Sequence, residues 1–563
     1  MKKSLFIFLV LLGGMLYAAD SWTVLVYMAA DNTLSYQALE NLQTMEEAIQ
    51  PSKLNLIVQL DRPGVGGRRY KVRHHPSPGI GSLILEELGE IDSGDKDTLS
   101  EFMLWGFGMY PAKRRMLIIW SHADSWYKSP KYIAPDNSSQ SVIGVANGDL
   151  KSALQNGGKL DVLLFDACSM QGIEVLYELK DCADIIIGSS DTVPVVGFPY
   201  AEMIPLMQGK PLVFASEIPQ LFTDYYAPGS VNNPFSEQML TTCSAVKTDG
   251  LEALWQGFKL LAEELRDSAA EIFELQEQLY RYNTALADID LRQFLCILIE
   301  NGISLLRAQE LLTLLDEITI AQSSSFPFTQ ENDASIALWF PHRRSTFENA
   351  IYSYMHLGFA KTGWASFINL ALGDDDVPPL KPQILRENQR FGKMHLLVQA
   401  PIDCDRLSYI LYHGDEIYEY HPPMYAQSFE ISFPIDSDGV YSLQAKDLSG
   451  NLSEKVLGEY QYIQPKTAAA VYPNPVSDLS LAHVTWFWEE TDGLTTVSVY
   501  NLKGQKVGEI SKEFSAQNPA ILKLNEIAGL EKASDGLHII RIKNKSQNIV
   551  KKFIISDELG LYP

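Results

Sequence analysis

Short apolar runs alternate with longer amphipathic stretches over residues 21–372. Apolar positions after Thr33 recur with helical spacing, with Thr33 and Ser35 as candidate caps, and residues 250–318 also follow a helical pattern. Strands separated by helices favour a mainly parallel sheet with right-handed crossovers. This section is therefore predicted to be α/β. We predict core strands at residues 22–30, 54–60, 115–122, 160–168, 183–190 and 334–341, and a short edge strand at 68–73.

Beyond residue 372 the pattern changes to short alternating strands separated by turns. The break at 373–382 is rich in acidic residues and proline, as expected of a solvated linker. Residues 380–464 predict an Ig-like β-sandwich, and residues 467–563 predict a second small all-β domain. The predicted organisation is one α/β domain, residues 20–372, followed by these two Ig-like domains.

The first 19 residues have the pattern of a cleavable signal peptide. Lys2 and Lys3 precede an apolar run from Leu5 to Leu16, and small residues follow at Ala18 and Ala19. The run is shorter than the roughly 20 residues that span a bilayer, which disfavours the alternative of an uncleaved anchor. We expect an exported protein with no transmembrane segment in the mature chain.

The net charge and the cysteine content argue against several classes of partner and site. The 563 residues carry a formal net charge of −25, which disfavours nucleic acid as a partner because phosphates require a basic surface. The five cysteines form no CxxC pair, so neither a zinc site nor a disulfide framework is indicated. Since five is an odd number, at least one thiol is unpaired within the chain.

Two reactive side chains end neighbouring predicted strands. His122 closes "LIIWSH" and Cys168 closes "LLFDAC", and open α/β sheets bind their ligands at the carboxyl ends of the strands. A thiol and an imidazole on one rim can act as nucleophile and proton donor. The backbone N–H groups of Ala123 and Cys168 would then face the oxyanion. The alternatives are a buried core thiol and a structural histidine.

Five blocks that contain these residues resemble the clostripain family of cysteine endopeptidases, in the family's order. The resemblance implies a caspase-like fold, with a mainly parallel sheet flanked by helices. It also implies that His122 is the general acid/base, that Cys168 is the nucleophile and that Asp166 is the acid of the specificity pocket, which would pair with Arg or Lys of the substrate. Asp191 would help to shape that pocket. The blocks are "WTVLVYMAADNTLSYQALENLQTMEE", "YPAKRRMLIIWSHADSW", "LLFDACSMQGIEVLYEL", "IIIGSSDTVPVVGFPY" and "ASIALWFP".

The sequence departs from the family pattern at two places. Ala123 follows the histidine where the family usually has glycine, which would add strain if that position needs a positive φ. The segment "SMQG" after Cys168 has one residue more than the family pattern before its glycine. Neither departure removes a reacting group.

Only the family resemblance suggests proteolytic processing or calcium dependence. Family members are often cleaved within the peptidase domain, so self-cleavage after Lys128, Lys131, Lys151 or Lys159 is a hypothesis. Some members depend on calcium, but no ligand set is visible in the sequence and we assign no metal site. The expected chemistry requires no cofactor.

The last section resembles the C-terminal sorting domains of type IX secretion substrates and related FlgD-like immunoglobulin folds. The resemblance depends on "YPNP", "VYNLKGQKV", "DGLHIIRI" and "KKFII". It implies that the secretion machinery is a partner and that the protein is secreted or displayed on the cell surface. The alternative is a plain spacer or adhesion module.

We therefore expect a secreted or surface cysteine endopeptidase that cleaves protein or peptide substrates after Arg or Lys. The alternative is a catalytically inactive caspase-like domain that acts as a surface binding or adhesion protein. A metallohydrolase is disfavoured, because the sequence has neither HExxH nor a cluster of histidines and carboxylates with metal-ligand spacing.

Overall fold

The computed structural model divides into two compact units, Met1–Asp376 with Ile402–Asp405, and Val377–Pro401 with Arg406–Pro563. The predicted signal peptide, residues 1–19, lies outside the described residues, and so do Lys128 and Lys131. The structure describes residues 22–50, 54–127, 133–230, 232–233, 241–282, 288–325, 336–373, 378–390, 392–405, 407–423, 426–463, 468–472, 474, 476, 479–480, 482–487, 493–514, 520–545 and 548–556.

A nine-stranded sheet forms the centre of the first unit, in the order β12-β10-β9-β8-β5-β1-β2-β3-β4. Its five middle strands run parallel, whereas the two outer strands at each end are antiparallel to their neighbours. The strands of this unit are β1 (Trp22–Ala29), β2 (Leu54–Asp61), β3 (Gly67–Lys71), β4 (Leu83–Gly89), β5 (Arg114–Trp120), β6 (Ile133–Asp136), β7 (Ser141–Ile143), β8 (Leu160–Asp166), β9 (Ala183–Gly188), β10 (Thr242–Lys247), β11 (Ile289–Asp290), β12 (Thr319–Ser324) and β13 (Ala337–Leu338).

Helices cover both faces of this sheet. Alternate residues of each middle strand point to opposite faces, so the continuous apolar runs supply two cores. Three helices, α1, α5 and α6, pack on one face and the others on the opposite face. The helices are α1 (Ser35–Ala48), α2 (Lys96–Met109), α3 (Asp149–Gly157), α4 (Ile173–Leu179), α5 (Tyr200–Leu206), α6 (Pro211–Tyr225), α7 (Leu251–Glu264), α8 (Ala269–Leu275), α9 (Leu291–Glu300), α10 (Leu305–Ile318), α11 (Arg344–Tyr354) and α12 (Trp364–Ala371).

The fold class is confirmed: a mainly parallel, helix-flanked sheet is followed by small antiparallel β-sheets. Two strand predictions were wrong. Residues 68–73 do not form the edge, because β4 pairs with β3 on its outer side. The described residues of the segment 334–341, from 336 onward, contribute no strand to the central sheet, since β13 pairs with β11 in a separate two-stranded sheet.

The second unit contains two antiparallel β-sandwiches. In the first, the sheets β14-β15-β18 and β17-β16-β19-β20 share one apolar core. In the second, the sheets β21-β22-β25 and β24-β23-β26-β27 share another. The strands are β14 (Gln383–Arg390), β15 (Lys393–Gln399), β16 (Ser408–His413), β17 (Glu416–Tyr420), β18 (Ser428–Pro434), β19 (Gly439–Lys446), β20 (Val456–Tyr460), β21 (Ala468–Tyr472), β22 (His483–Phe487), β23 (Gly493–Asn501), β24 (Lys506–Phe514), β25 (Ala520–Lys523), β26 (Gly536–Lys543) and β27 (Asn548–Ile555).

Two further features concern the whole chain. All five cysteines are free thiols, in agreement with the absence of a disulfide framework. Across the helices that the structure describes, none has the length and apolar character needed to cross a membrane.

Candidate active site

The pairing of β5 with β8 relates His122 to Cys168. These parallel strands are in register so that Trp120 lies opposite Asp166, the last residue of each strand. The Ser121 N–H continues the ladder by donating to the Asp166 carbonyl at 3.3 Å. His122 lies two residues after Trp120, and Cys168 lies two residues after Asp166. The two side chains therefore occupy equivalent places at the carboxyl ends of adjacent strands.

A tight turn carries Cys168 beyond the end of β8. The next residue, Ser169, has a left-handed backbone with φ of 58°, which is uncommon for a residue other than glycine. Its N–H donates to the Asp191 carbonyl at 3.0 Å, which holds the turn against the segment that follows β9. Strained backbone of this kind clusters at functional sites.

The segment after β9 also covers the Cys168 thiol. The Val193 N–H donates to Sγ of Cys168 at 3.3 Å. Burial raises the pKa of the thiol above its ordinary value, and the carboxylates of Asp166, Asp124 and Asp191 raise it further. The Val193 N–H acts in the opposite direction, because it favours the thiolate. The balance keeps Cys168 protonated near neutral pH.

The half-buried His122 is held through its ring and through its backbone. Its Nε2 lies 2.8 Å from the hydroxyl oxygen of Thr33. Its carbonyl accepts a hydrogen bond of 3.2 Å from the Ala134 N–H. Thr33 is not the helix cap that the sequence predicted: α1 begins after Leu34, without a side-chain cap. The Asn32 side chain accepts the Leu34 N–H instead.

Ala123 adopts an ordinary backbone conformation. It does not have a positive φ, so alanine is not strained there by its Cβ. Ala123 forms an antiparallel bridge with Ile133. In the described part of the chain, the N–H groups of Ala123 and Cys168 donate to no acceptor.

Asp166 is almost entirely buried, with 4% of its surface exposed. Its Oδ2 accepts hydrogen bonds from the Tyr200 hydroxyl at 2.8 Å and from the Phe198 N–H at 3.2 Å. Burial raises the pKa of this carboxyl to about 6, although both hydrogen bonds lower it. Within the described residues, Oδ1 accepts no hydrogen bond. Both of these hydrogen bonds therefore hold the carboxyl through one oxygen.

Asp191 supports the turn after Cys168 and is fully buried. Its Oδ1 accepts the Thr192 N–H at 2.7 Å, and its Oδ2 accepts the Tyr280 hydroxyl at 3.3 Å. Together with the bond from Ser169 to its carbonyl, these contacts fix the segment that lies over the thiol.

A group of three buried aspartates lies on the same rim. Asp31 follows β1, Asp61 ends β2 and Asp136 ends β6, and each has one oxygen within 4.8 Å of the others. Burial and the nearby carboxylates of Asp136 and Asp31 raise the pKa of Asp61 to about 7, although the Ser93 hydroxyl lowers it. We call this group the aspartate cluster.

Sequence reasoning missed several residues of this region. It did not single out Val193, Gly197 or Tyr200, because their contacts depend on how the segment after β9 folds back. Asp31 and Asp61 did carry a signal, since each follows or ends a buried parallel strand, as His122 and Cys168 do. Asp136 carried none, because β6 lies outside the main sheet.

Comparison with known proteins identifies the first unit. The sequence profile described as the Clostripain family matches residues 26–367, which is more than half of the chain. The chain belongs to the clostripain family. Clostripain of Hathewaya histolytica is 27% identical over 212 residues, a region that covers 32% of this chain. The match spans 40% of the length of that curated relative.

Solved structures of C11 proteases are also similar to this clostripain-family protein. An inactive zymogen from Parabacteroides distasonis is 24% identical, with a TM-score of 0.49, and the match covers 61% of this chain and 98% of that one. A secreted cysteine protease from Bacteroides thetaiotaomicron, in complex with an irreversible peptide inhibitor, is 25% identical, with a TM-score of 0.44. That match covers 54% of this chain and 85% of the other.

The end of this clostripain-family chain matches a second profile. Residues 470–556 match the Secretion system C-terminal sorting domain. This region coincides with the second β-sandwich, β21–β27. The protein is therefore secreted or located at the cell surface.

Proposed function

We propose that this protein is a secreted or surface cysteine endopeptidase that uses Cys168 and His122. The observation that carries the proposal is the register of β5 and β8. Trp120 pairs with Asp166, and His122 and Cys168 lie two residues after these paired positions on their own strands. If Cys168 were a core thiol and His122 a structural histidine, the two residues would not need to occupy equivalent positions on one rim of the sheet.

In the proposed reaction Cys168 attacks the carbonyl carbon of the scissile peptide bond. Since the thiol is protonated in the free protein, its proton passes to His122 as the Sγ–C bond forms. The N–H groups of Ala123 and Cys168 stabilise the oxyanion. His122 then protonates the departing amine, which breaks the C–N bond and leaves a thioester. A water molecule that His122 deprotonates hydrolyses the thioester and regenerates the thiol.

We assign the proton transfers to the imidazole of His122, whose Nε2 also contacts the Thr33 hydroxyl. Which ring nitrogen carries the proton in the free protein depends on the tautomer. Apart from the hydrolytic water, this chemistry uses only groups of the protein.

We further propose that substrates are cleaved after Arg or Lys. Asp166 is a buried carboxyl near the thiol, and the contacts from Tyr200 and Phe198 leave Oδ1 for a cation. An ionised carboxylate in a buried site pairs strongly with a guanidinium or ammonium group. The substrates would be proteins or peptides that contain basic residues, and the secretion machinery would be a second partner through residues 470–556.

The test uses a peptidyl-lysine or peptidyl-arginine probe that alkylates thiols, followed by a fluorogenic panel that varies the residue before the cut. We expect Cys168 to be labelled and basic residues to be preferred. The Cys168→Ala variant is the control and should be neither labelled nor active. Failure of the full-length protein to react with any member of the panel would favour the alternative, an inactive surface-binding domain.

A further inference from the structure

The carboxyl ends of five parallel strands form the rim on which the candidate active site lies. Their order across the sheet is β9, β8, β5, β1 and β2. Cys168 follows β8 and His122 follows β5, and the carboxyl of Asp166 accepts a hydrogen bond from the segment after β9. Beyond His122 the rim continues over the ends of β1 and β2, a part that the proposed reaction does not use.

The direction of a bound substrate follows from the proposed chemistry. Cys168 attacks the carbonyl carbon of the scissile bond, and His122 protonates the amine on the other side of that bond. The basic side chain before the cut points toward Asp166. The residues after the cut therefore begin at His122 and run away from Asp166, over the ends of β1 and β2.

A partly exposed arginine lies on this part of the rim. Arg62 directly follows β2, and its Nε donates to the Ser35 hydroxyl at 3.0 Å. Its carbonyl accepts the N–H groups of Val65 and Gly66, at 3.1 and 3.0 Å, which fix the turn that carries it. Among the described residues, the guanidinium forms no ion pair with a carboxylate. The cation is thus held in place without being neutralised.

The charge of Arg62 is unusual for its surroundings. It is the only Lys or Arg in the described segments that follow the strands of this rim, although those segments contain several aspartates. Asp31 and Asp61 of the aspartate cluster are 1% exposed, so a substrate that crosses β1 and β2 meets the guanidinium rather than these carboxyls. The segments compared are residues 30–36, 62–66, 121–127, 137–140, 167–172 and 189–199.

Arg62 is within reach of a residue shortly after the cut. The Thr33 hydroxyl contacts His122 at 2.8 Å, and Ser35, which contacts Arg62, is two residues further along the chain. Two residues of chain span at most about 7 Å, which places the guanidinium roughly 10 to 15 Å from the imidazole. Because an extended peptide advances about 3.3 Å per residue, roughly the second to fourth residue after the cut can present its side chain to Arg62.

We propose that Arg62 forms a subsite for an acidic side chain of the substrate, two to four residues after the cut. A guanidinium binds a carboxylate through charge-assisted hydrogen bonds, and its two terminal nitrogens can engage both oxygens. The bond to Ser35 orients the guanidinium before the substrate arrives. Preferred substrates then have a positive charge before the cut and a negative charge after it. This inference rests on the proposed peptidase function.

The cleavage test uses the full-length protein and quenched fluorogenic peptides that contain a single lysine. The peptides have either glutamate or glutamine at the second, third or fourth position after the lysine. We expect kcat/KM to be about threefold to tenfold higher for glutamate at one of these positions, and the ratio to shrink at high salt. Equal values for glutamate and glutamine in an enzyme that cleaves both would overturn the subsite and leave the proposed function intact.

Variants of Arg62 separate recognition of the substrate from support of the fold. Arg62→Gln can still donate to Ser35 but has no charge, so the glutamate-to-glutamine ratio should fall to about one. Arg62→Glu should bring the ratio below one, which loss of a bracing contact alone would not do. Arg73→Gln, at an exposed position outside the rim segments, is the control and should retain the wild-type ratio. A wild-type ratio in whichever Arg62 variants fold would overturn the proposal.

Binding to the full-length Cys168→Ala protein provides a readout that does not need turnover. Fluorescence anisotropy of labelled peptides should show several-fold tighter binding of the glutamate peptide, and Arg62→Gln in the same background should remove the difference. If the wild type cleaves no peptide, the proposed function is contradicted and binding alone decides the subsite. An Arg62-dependent difference would then support it, and equal binding of the two peptides would overturn it.

Discussion

The hydroxyl of Thr33 lies 2.8 Å from Nε2 of His122. The contact joins the end of β1 to the end of β5, so the orientation of the imidazole depends on a strand that contributes no reacting group. Thr33 is thus a positioning residue for the proposed general acid/base.

Replacing Thr33 with valine tests this role. We expect kcat to fall about fivefold to tenfold with little change in KM, because one hydrogen bond contributes about 1 kcal/mol. Steady-state kinetics with a fluorogenic lysine or arginine substrate measure both constants. Thr313→Val, at an exposed position on α10, is the control and should match the wild type. A change confined to KM would contradict the positioning role.

The raised pKa of Asp166 predicts how selectivity depends on pH. The carboxyl is ionised only above a pKa of about 6, so attraction of a basic side chain should be present above this pH and lost below it. We expect the ratio of kcat/KM for a lysine substrate to that for a neutral one to fall about tenfold per pH unit below about pH 6. The ratio cancels effects of the catalytic groups. Asp166→Asn should give a low ratio at every pH, and a wild-type ratio that is constant from pH 5 to 8 would argue against the pocket assignment.

Gly197 lies against the same carboxyl. Its φ is +81°, and a Cβ added there would lie 2.8 Å from Oδ2 and 3.1 Å from Oδ1 of Asp166. We expect Gly197→Ala to displace the carboxyl and abolish the preference for basic residues. Gly229 has the same φ with nothing within 4 Å of an added Cβ, so Gly229→Ala reproduces the backbone strain without the contact. Equal selectivity in the two variants would show that the contact with Asp166 is unimportant.

The environment of Cys168 predicts slow alkylation of the free protein. Because burial raises the pKa of the thiol, the rate of reaction with iodoacetamide should be low at pH 7 and should still be rising at pH 9. Mass spectrometry of the modified cysteine gives the rate at each pH. A fast rate that does not change between pH 6 and 8 would instead indicate a thiolate paired with imidazolium before substrate binds.

Ala123 should be compatible with full activity. Since its φ is not positive, glycine at this position relieves no strain, and we expect Ala123→Gly to change kcat/KM by less than about twofold. The same fluorogenic assay measures the change. A tenfold gain would show that the methyl group obstructs the substrate.

The buried strands of the first unit were predictable because their apolar runs are continuous. β1, β2, β5, β8 and β9 all follow such runs, and their parallel pairing requires the helical crossovers that the pattern also shows. The outermost strands β4 and β12 could not be predicted in this way, because β4 is largely exposed and β12 is half-buried, so neither has the pattern of a core strand.

The candidate site also has residues that the sequence could indicate and contacts that it could not. His122, Cys168 and Asp166 could be named from the sequence, because each stands at the end of a strand within a block that resembles the clostripain family. The contacts that set their chemistry could not. Thr33, Val193 and Tyr200 reach these residues over sequence separations of 89, 25 and 34 residues.

The sequence by itself determined the α/β class, the succession of β-sandwiches and the residues that could react, because periodicity and strand ends are local properties of the chain. The tertiary structure alone decided which groups meet. It brings the Thr33 hydroxyl to the imidazole of His122 and the Val193 N–H to the thiol of Cys168. It also gathers three aspartates from distant segments into one buried cluster. The local pattern of hydrophobic and polar residues indicates only whether a side chain faces the core. The approach of charged and polar groups across the rim depends on loop paths and strand order, which are set when the whole unit packs.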